Sequence, residues 1–152
     1  MRQEIYSGHL KFNGEEHFDT LREAYNYATA LAKLNRFNES RALLLGVIPV
    51  ARRNLGESND LTLSMRGLYA QSLYVDPDAT LDDLREAVTT FEETERTARR
   101  VFGGAHPLTE QLQVDLGNAR DVVAECLNIP HKFSKNTYFV ARNSLTSSAH
   151  AS

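Results

Sequence analysis

Histidines, clustered carboxylates and one cysteine are the side chains of this chain that could do chemistry. His17 and His106 recur at the same place in a repeated phrase, three residues after a glycine. Two imidazoles could bind a metal or relay protons. The remaining copy of the phrase, however, has Asn59 at that place, a good helix cap and a poor metal ligand. The recurrence therefore points to a turn role at a helix start. His9, His131 and His150 have no partners at metal-ligand spacing. Cys126 stands alone, which excludes an internal disulfide framework and a cysteine-based zinc site, and no basic cluster beside it would lower its pKa. Asp82, Asp83 and Glu86, then Glu92, Glu93 and Glu95, crowd one segment. Carboxyl pairs do acid–base work only where a pocket drives their pKa values apart. Here Arg85, Arg96, Arg99 and Arg100 are interleaved, and Glu92 to Arg96 and Glu95 to Arg99 are spaced as favourable i,i+4 ion pairs. A solvated helix face is expected. The chain has no Walker loop, nucleophile elbow or Gly-x-Gly-x-x-Gly phrase. No catalytic residue, cofactor or metal site is expected, and the chain is not read as an enzyme.

Composition narrows the class further. The 152 residues suffice for one domain with a core, and their net charge of −3 implies no broad basic surface for nucleic acid. No apolar run approaches the ~18 residues of a membrane span. The opening Met1-Arg2-Gln3-Glu4 is too polar for a secretory signal. A cytoplasmic location, without membrane or nucleic-acid partners, is expected.

The elements that must position any site are set by repetition. The phrases Gly14-Glu15-Glu16-His17-Phe18-Asp19-Thr20, Gly56-Glu57-Ser58-Asn59-Asp60-Leu61-Thr62 and Gly103-Gly104-Ala105-His106-Pro107-Leu108-Thr109 start 42 and then 47 residues apart. Arg52-Arg53 and Arg99-Arg100 precede the second and third, as cations do near helix C-termini. Each glycine reads as a helix stop, and each following polar residue or proline as a restart. Apolar spacing predicts a helix from Asp19 to Leu34, a second from about Asn38 to Leu55, a third from about Asp60 to Tyr74, a fourth from about Leu81 to Phe102 and a fifth from about Pro107 to Leu127. Residues 1–13 read as a helical stub, the last turns of a preceding helix. Pro49 predicts a kink near Leu45 to Pro49, with a break as the weaker alternative. Asp76-Pro77-Asp78 reads as a turn, and Thr80 with Asp83 as a helix cap. Asn128 and Pro130 end the last helix. The fold class is all-α, with a repeat domain over 1–130. The tail 131–152, rich in Ser, Asn and Ala, is expected to be disordered.

The Gly-Glu-Glu-His-Phe-Asp-Thr-Leu phrase, the Asn26-Tyr27-Ala28 helix and Arg36-Phe37-Asn38-Glu39-Ser40 resemble the 42-residue tetratricopeptide repeat of kinesin light chains and their relatives. The resemblance covers roughly residues 13–127. It implies an α-solenoid of antiparallel helical hairpins, about five helices plus the N-terminal stub. Ser40 fits the family's small position, whereas Pro49 and the expanded turn at 75–80 depart from it.

By that resemblance, the first helix of each unit lines a concave surface. The implied groove positions are Arg22, Tyr25, Asn26, Thr29 and Lys33, then Ser64, Gly67, Leu68 and Gln71, then Gln111, Val114, Asp115 and Asn118. Amides there could pair with the backbone of an extended peptide. Ser64 and Leu68 stand where a carboxylate clamp would want a cation and an amide, which argues against chaperone-tail binding. The function implied is a scaffold for a peptide or protein partner. The alternative is a self-associating fragment of a longer array. Its motive is that the unpaired helix 107–127 would expose Leu112, Leu116 and Val123 unless the tail covers them.

Overall fold

The computed structural model describes residues 1–128. Over that span the chain is all-α and repeat-like: α1 (Arg2–Asn13), α2 (Phe18–Lys33), α3 (Phe37–Leu55), α4 (Asp60–Tyr74), α5 (Leu81–Phe102) and α6 (Pro107–Asn128). The ends fall within one or two residues of those read from periodicity, and the N-terminal stub is a helix of 12 residues. Pro130 and the tail 131–152 lie outside the described residues.

The three phrases fold alike. Gly14, Gly56 and Gly103 hold φ of 83, 94 and 89° with ψ of 166, 161 and 165°. A Cβ is strained in that backbone region. Each glycine N–H closes the preceding helix on a carbonyl, that of Leu10, Arg52 or Arg99. Three residues on, the side chains of His17, Asn59 and His106 accept a hydrogen bond from the N–H of Asp19, Leu61 and Leu108, at 3.2, 2.9 and 3.2 Å. Imidazole Nδ1 thus does the capping work of an asparagine oxygen. Three further on stand Thr20, Thr62 and Thr109, none more than 1 % exposed. The Thr20 hydroxyl donates to the His9 carbonyl at 3.2 Å and that of Thr62 to Ala51 at 3.5 Å, tying each new helix to the previous one.

α5 starts with a full capping box between Thr80 and Asp83, and the Asp76 carboxylate accepts from the Asp78 N–H at 2.9 Å in the turn before it. α3 runs through Pro49 without a break. Leu45 and Pro49 are both exposed, so the carbonyl that loses its partner can turn to water.

Consecutive helices pack on each other, and α2 also meets α4 as α4 meets α6. Two cores result, and α4 belongs to both. Met65 and Leu68 join Leu21, Ala24 and Ala28 of α2 and Leu44, Val47 and Ala51 of α3. Leu63, Ala70, Leu73 and Tyr74 join Leu84, Ala87, Phe91 and Ala98 of α5 and Leu112, Leu116, Ala119 and Val122 of α6. One polar knot closes the junction of α2, α3 and α4. The Ser40 hydroxyl donates to the Ala28 carbonyl at 3.0 Å, and Arg41 donates to the Ser72 carbonyl at 2.7 Å and to Asp76 at 3.0 Å. α4 has no cation in its last turn, so Arg41 supplies that charge from α3.

Two expectations are overturned. Leu112 and Leu116 are 2 and 8 % exposed, and Val123 packs against the same core. α6 turns its apolar stripe onto α4 and α5, so these side chains do not form an open patch. Glu92 pairs with Arg120 of α6 at 2.8 Å rather than with Arg96, because α6 lies alongside α5, while Glu95 and Arg99 do pair within α5 at 2.6 Å.

The contrasting glycines make a test. Gly46 is exposed in α3 with room for a methyl group. Gly46→Ala should raise stability by about 0.5–1 kcal/mol. Gly56→Ala should lower it by about 1–3 kcal/mol through backbone strain. Urea unfolding of the two variants checks both signs.

Candidate functional site

Helix periodicity alone places Tyr25 with Thr29, Ser64 with Leu68, Gly67 with Gln71, and Gln111 with Asp115, each pair one turn apart. Packing α2 beside α4 and α4 beside α6 brings the four pairs together. They line one open pocket of about 360 Å³, whose remaining walls are Leu108 and Leu112. Gly67 sets the spacing. A Cβ there would stand 2.9 Å from Leu112 Cδ2, so the bare backbone lets α6 approach α4.

Asp115 forms one side of this pocket and is only 8 % exposed. Its carboxylate accepts from the Tyr74 hydroxyl at 3.3 Å and from the Gln111 amide at 3.2 Å. Burial pushes the carboxyl above the usual carboxylate range, and the two hydrogen bonds pull it partly back. The Tyr74 ring is held edge-on to Phe91, centroids 5.8 Å apart. On the opposite wall Tyr25 is half-buried, and burial raises its phenol above the usual value. The Thr29 hydroxyl is turned back onto the Tyr25 carbonyl at 2.9 Å. The wall therefore offers amides from Gln71 and Gln111, a hydroxyl from Ser64, an aromatic face from Tyr25 and one buried acid. Such groups suit hydrogen bonding to an extended chain, since amides both donate and accept.

Eight of the positions implied by resemblance are thus assembled: Tyr25, Thr29, Ser64, Gly67, Leu68, Gln71, Gln111 and Asp115. Lys33 lines an adjoining pocket of about 310 Å³ that shares Thr29, Leu68 and Gln71. Arg22 and Asn26 do not join the lining residues. Arg22 pairs with Asp19 at 3.2 Å over the Phe18 ring, and Asn26 donates to Glu23 at 3.2 Å. Asn118, half-buried further along α6, and exposed Val114 are also outside the lining. The sequence reading missed Tyr74, the partner of Asp115. No local spacing signals a contact made across 41 residues.

Among the described residues, several other chemistry-bearing side chains have structural work. His17 and His106 cap helices, Asp83 closes a capping box, and Glu92 and Glu95 are ion-paired. Cys126 packs against the second core. Among the described residues, no group of three or more His, Cys, Asp or Glu is placed to hold a metal ion. Nor, among them, is any helix long and apolar enough to cross a membrane. Comparison of the chain with models of known protein families, with curated proteins and with solved structures finds no match.

The raised Asp115 pKa has a pH consequence. The folded state holds this proton more tightly than the unfolded chain, whose aspartate titrates at ~3.9. The associated stability is full below that value and is lost as pH rises through the higher folded pKa. Asp115→Asn removes the titration, so its stability relative to the parent should be higher at pH 7 than at pH 3. Paired urea unfolding curves at the two pH values measure the difference.

Proposed function

We propose that this chain is a short tetratricopeptide-like array of antiparallel helical hairpins that binds a peptide or protein partner across α2, α4 and α6. The hairpin reading is supported by the threonine hydroxyls, which set the start of α2 beside the end of α1 and the start of α4 beside the end of α3. The single observation that carries the binding reading is the pocket of about 360 Å³ shared by three helices that are not consecutive in the chain. Its lining of amides, a hydroxyl and Tyr25 around one acid fits an extended polypeptide better than a small reactive substrate. The remaining histidines and carboxylates with named partners cap helices or pair charges, which favours a binding module over an enzyme. A cytoplasmic setting belongs to the same reading.

The residues that face the pocket should carry the binding, and nearby exposed ones should not. A partner recovered with the intact chain should bind Tyr25→Ala/Gln71→Ala at least about tenfold more weakly, a loss of ~1.4 kcal/mol or more. Arg22→Ala, altered outside the lining, should bind as the parent does. Titration calorimetry on the purified pair decides the matter, and equal affinities for all three chains would sink the groove assignment.

A further inference from the structure

Asp115 stands at the same distance from Gly103 as Asn26 from Gly14 and Leu68 from Gly56. An amide at that place both donates and accepts, whereas an ionised carboxylate only accepts. The third unit therefore offers the pocket a charge where the first has an amide and the second a leucine.

The surroundings of this acid differ from those of three others nearly as enclosed. Glu23, Asp76 and Glu95 have side chains 10, 11 and 14 % exposed, and each lies beside an arginine: Arg2 at 3.7 Å, Arg41 at 3.0 Å and Arg99 at 2.6 Å. The Asp115 carboxylate has only neutral partners, with Tyr74 on Oδ1 and Gln111 on Oδ2. A carboxylate has ~four acceptor sites, so each oxygen keeps one. No Arg, Lys or His lines the pocket. The arginines of the three helices that form it, Arg22, Arg66 and Arg120, are engaged by Asp19, Glu93 and Glu92. Lys33 lines only the adjoining pocket. At the α2 wall the next charge is again negative: the Tyr25 phenol is raised first by burial and then further by the nearby Asp60 carboxylate.

A buried carboxylate without a cation is costly, and a cation from outside would offset that cost. Its own burial already raises the Asp115 carboxyl, as the lack of a charge partner requires. Arginine fits the space better than lysine. Its planar fork can meet both oxygens at once, and guanidinium gives up water more readily than ammonium. Ser64, Gln71 and Gln111 supply further acceptors, and Tyr25 an aromatic wall.

Resting on the groove reading above, we propose that Asp115 determines the specificity of the pocket: the segment bound across α2, α4 and α6 carries an arginine whose guanidinium seats on the Asp115 carboxylate. The remaining lining groups then hold the backbone on either side of that arginine.

The test uses the full chain and three capped peptides, Ala-Ala-Arg-Ala-Ala and its citrulline and glutamate versions. Citrulline keeps the shape of arginine and removes its charge. Amide NMR titration should show saturable shifts at Gln71, Gln111 and Asp115 with the arginine peptide. Affinity for the citrulline peptide should be at least about tenfold weaker, and the glutamate peptide should leave these signals in place. Asp115→Asn should bring arginine down to citrulline while leaving citrulline binding as it was. Equal affinities of the parent chain for arginine and citrulline overturn the proposal. So does an arginine preference that survives Asp115→Asn, or shifts confined to the acidic face of α5 around Glu92 and Glu95. If Asp115→Asn does not fold, the ranking of the three peptides on the parent chain and the residues that shift still decide the matter. Equal binding of all three peptides in the pocket would remove the arginine assignment and leave the groove reading standing. If no peptide shifts the pocket signals, the arginine assignment falls, and the groove reading rests on the partner calorimetry with Tyr25→Ala/Gln71→Ala.

Discussion

The structure depends on α4 being buried on more than one side. A helix with a single apolar stripe can close one core. α4 closes two, with Met65 and Leu68 toward α2 and α3 and with Leu63, Ala70, Leu73 and Tyr74 toward α5 and α6. Small residues make this possible. Gly67 admits Leu112, and Ser72 stands 3.5 Å from Ser40 at the junction with α3. The polar ends of such a buried helix still need partners. Arg41 reaches across from α3 to supply one, and Asn59 caps the other end from within the phrase.

The repeated phrase is best understood as three jobs at fixed spacing rather than as a run of letters. A glycine takes a backbone conformation that a side chain would strain. A cap follows three residues later, and a buried threonine three after that. His17 and Asn59 differ chemically yet place an acceptor at the same point. Thr20 and Thr62 then bind carbonyls eleven residues back in the previous helix. This explains how the phrase can vary at its middle positions while keeping its ends. Its histidines are held as hydrogen-bond acceptors at helix starts.

The first and last described helices differ in kind. On α6 the residues Glu110, Gln113, Gly117 and Arg120 are exposed, and two of these reach back to α5. Arg120 binds Glu92 at 2.8 Å, and Gln113 accepts from Arg99 at 3.2 Å. On α1 the exposed residues include the apolar Ile5 and Phe12. The pocket lies where α2, α4 and α6 meet, and burial there pushes the Asp115 carboxyl above the usual carboxylate range.

Sequence alone determined where the helices start and stop. Those signals are local: a glycine forced to positive φ, a cap on the next turn, an apolar period of 3.6 and an Asp-Pro-Asp turn all act within a few residues. It also implied, through the repeat resemblance, which helices would share a surface, and the pocket draws on those helices. Tertiary structure decided which side chains reach it. Arg22 and Asn26 carry groove-like chemistry, but Asp19 and Glu23 on their own helix engage them. Asp115 reads as one more polar groove residue until the Tyr74 hydroxyl and Gln111 enclose it. Leu112 and Leu116 looked exposed because nothing along the chain says which way α6 faces. That orientation follows from the space α4 and α5 leave beside Gly67, a property of three helices packed together and of no single stretch of sequence.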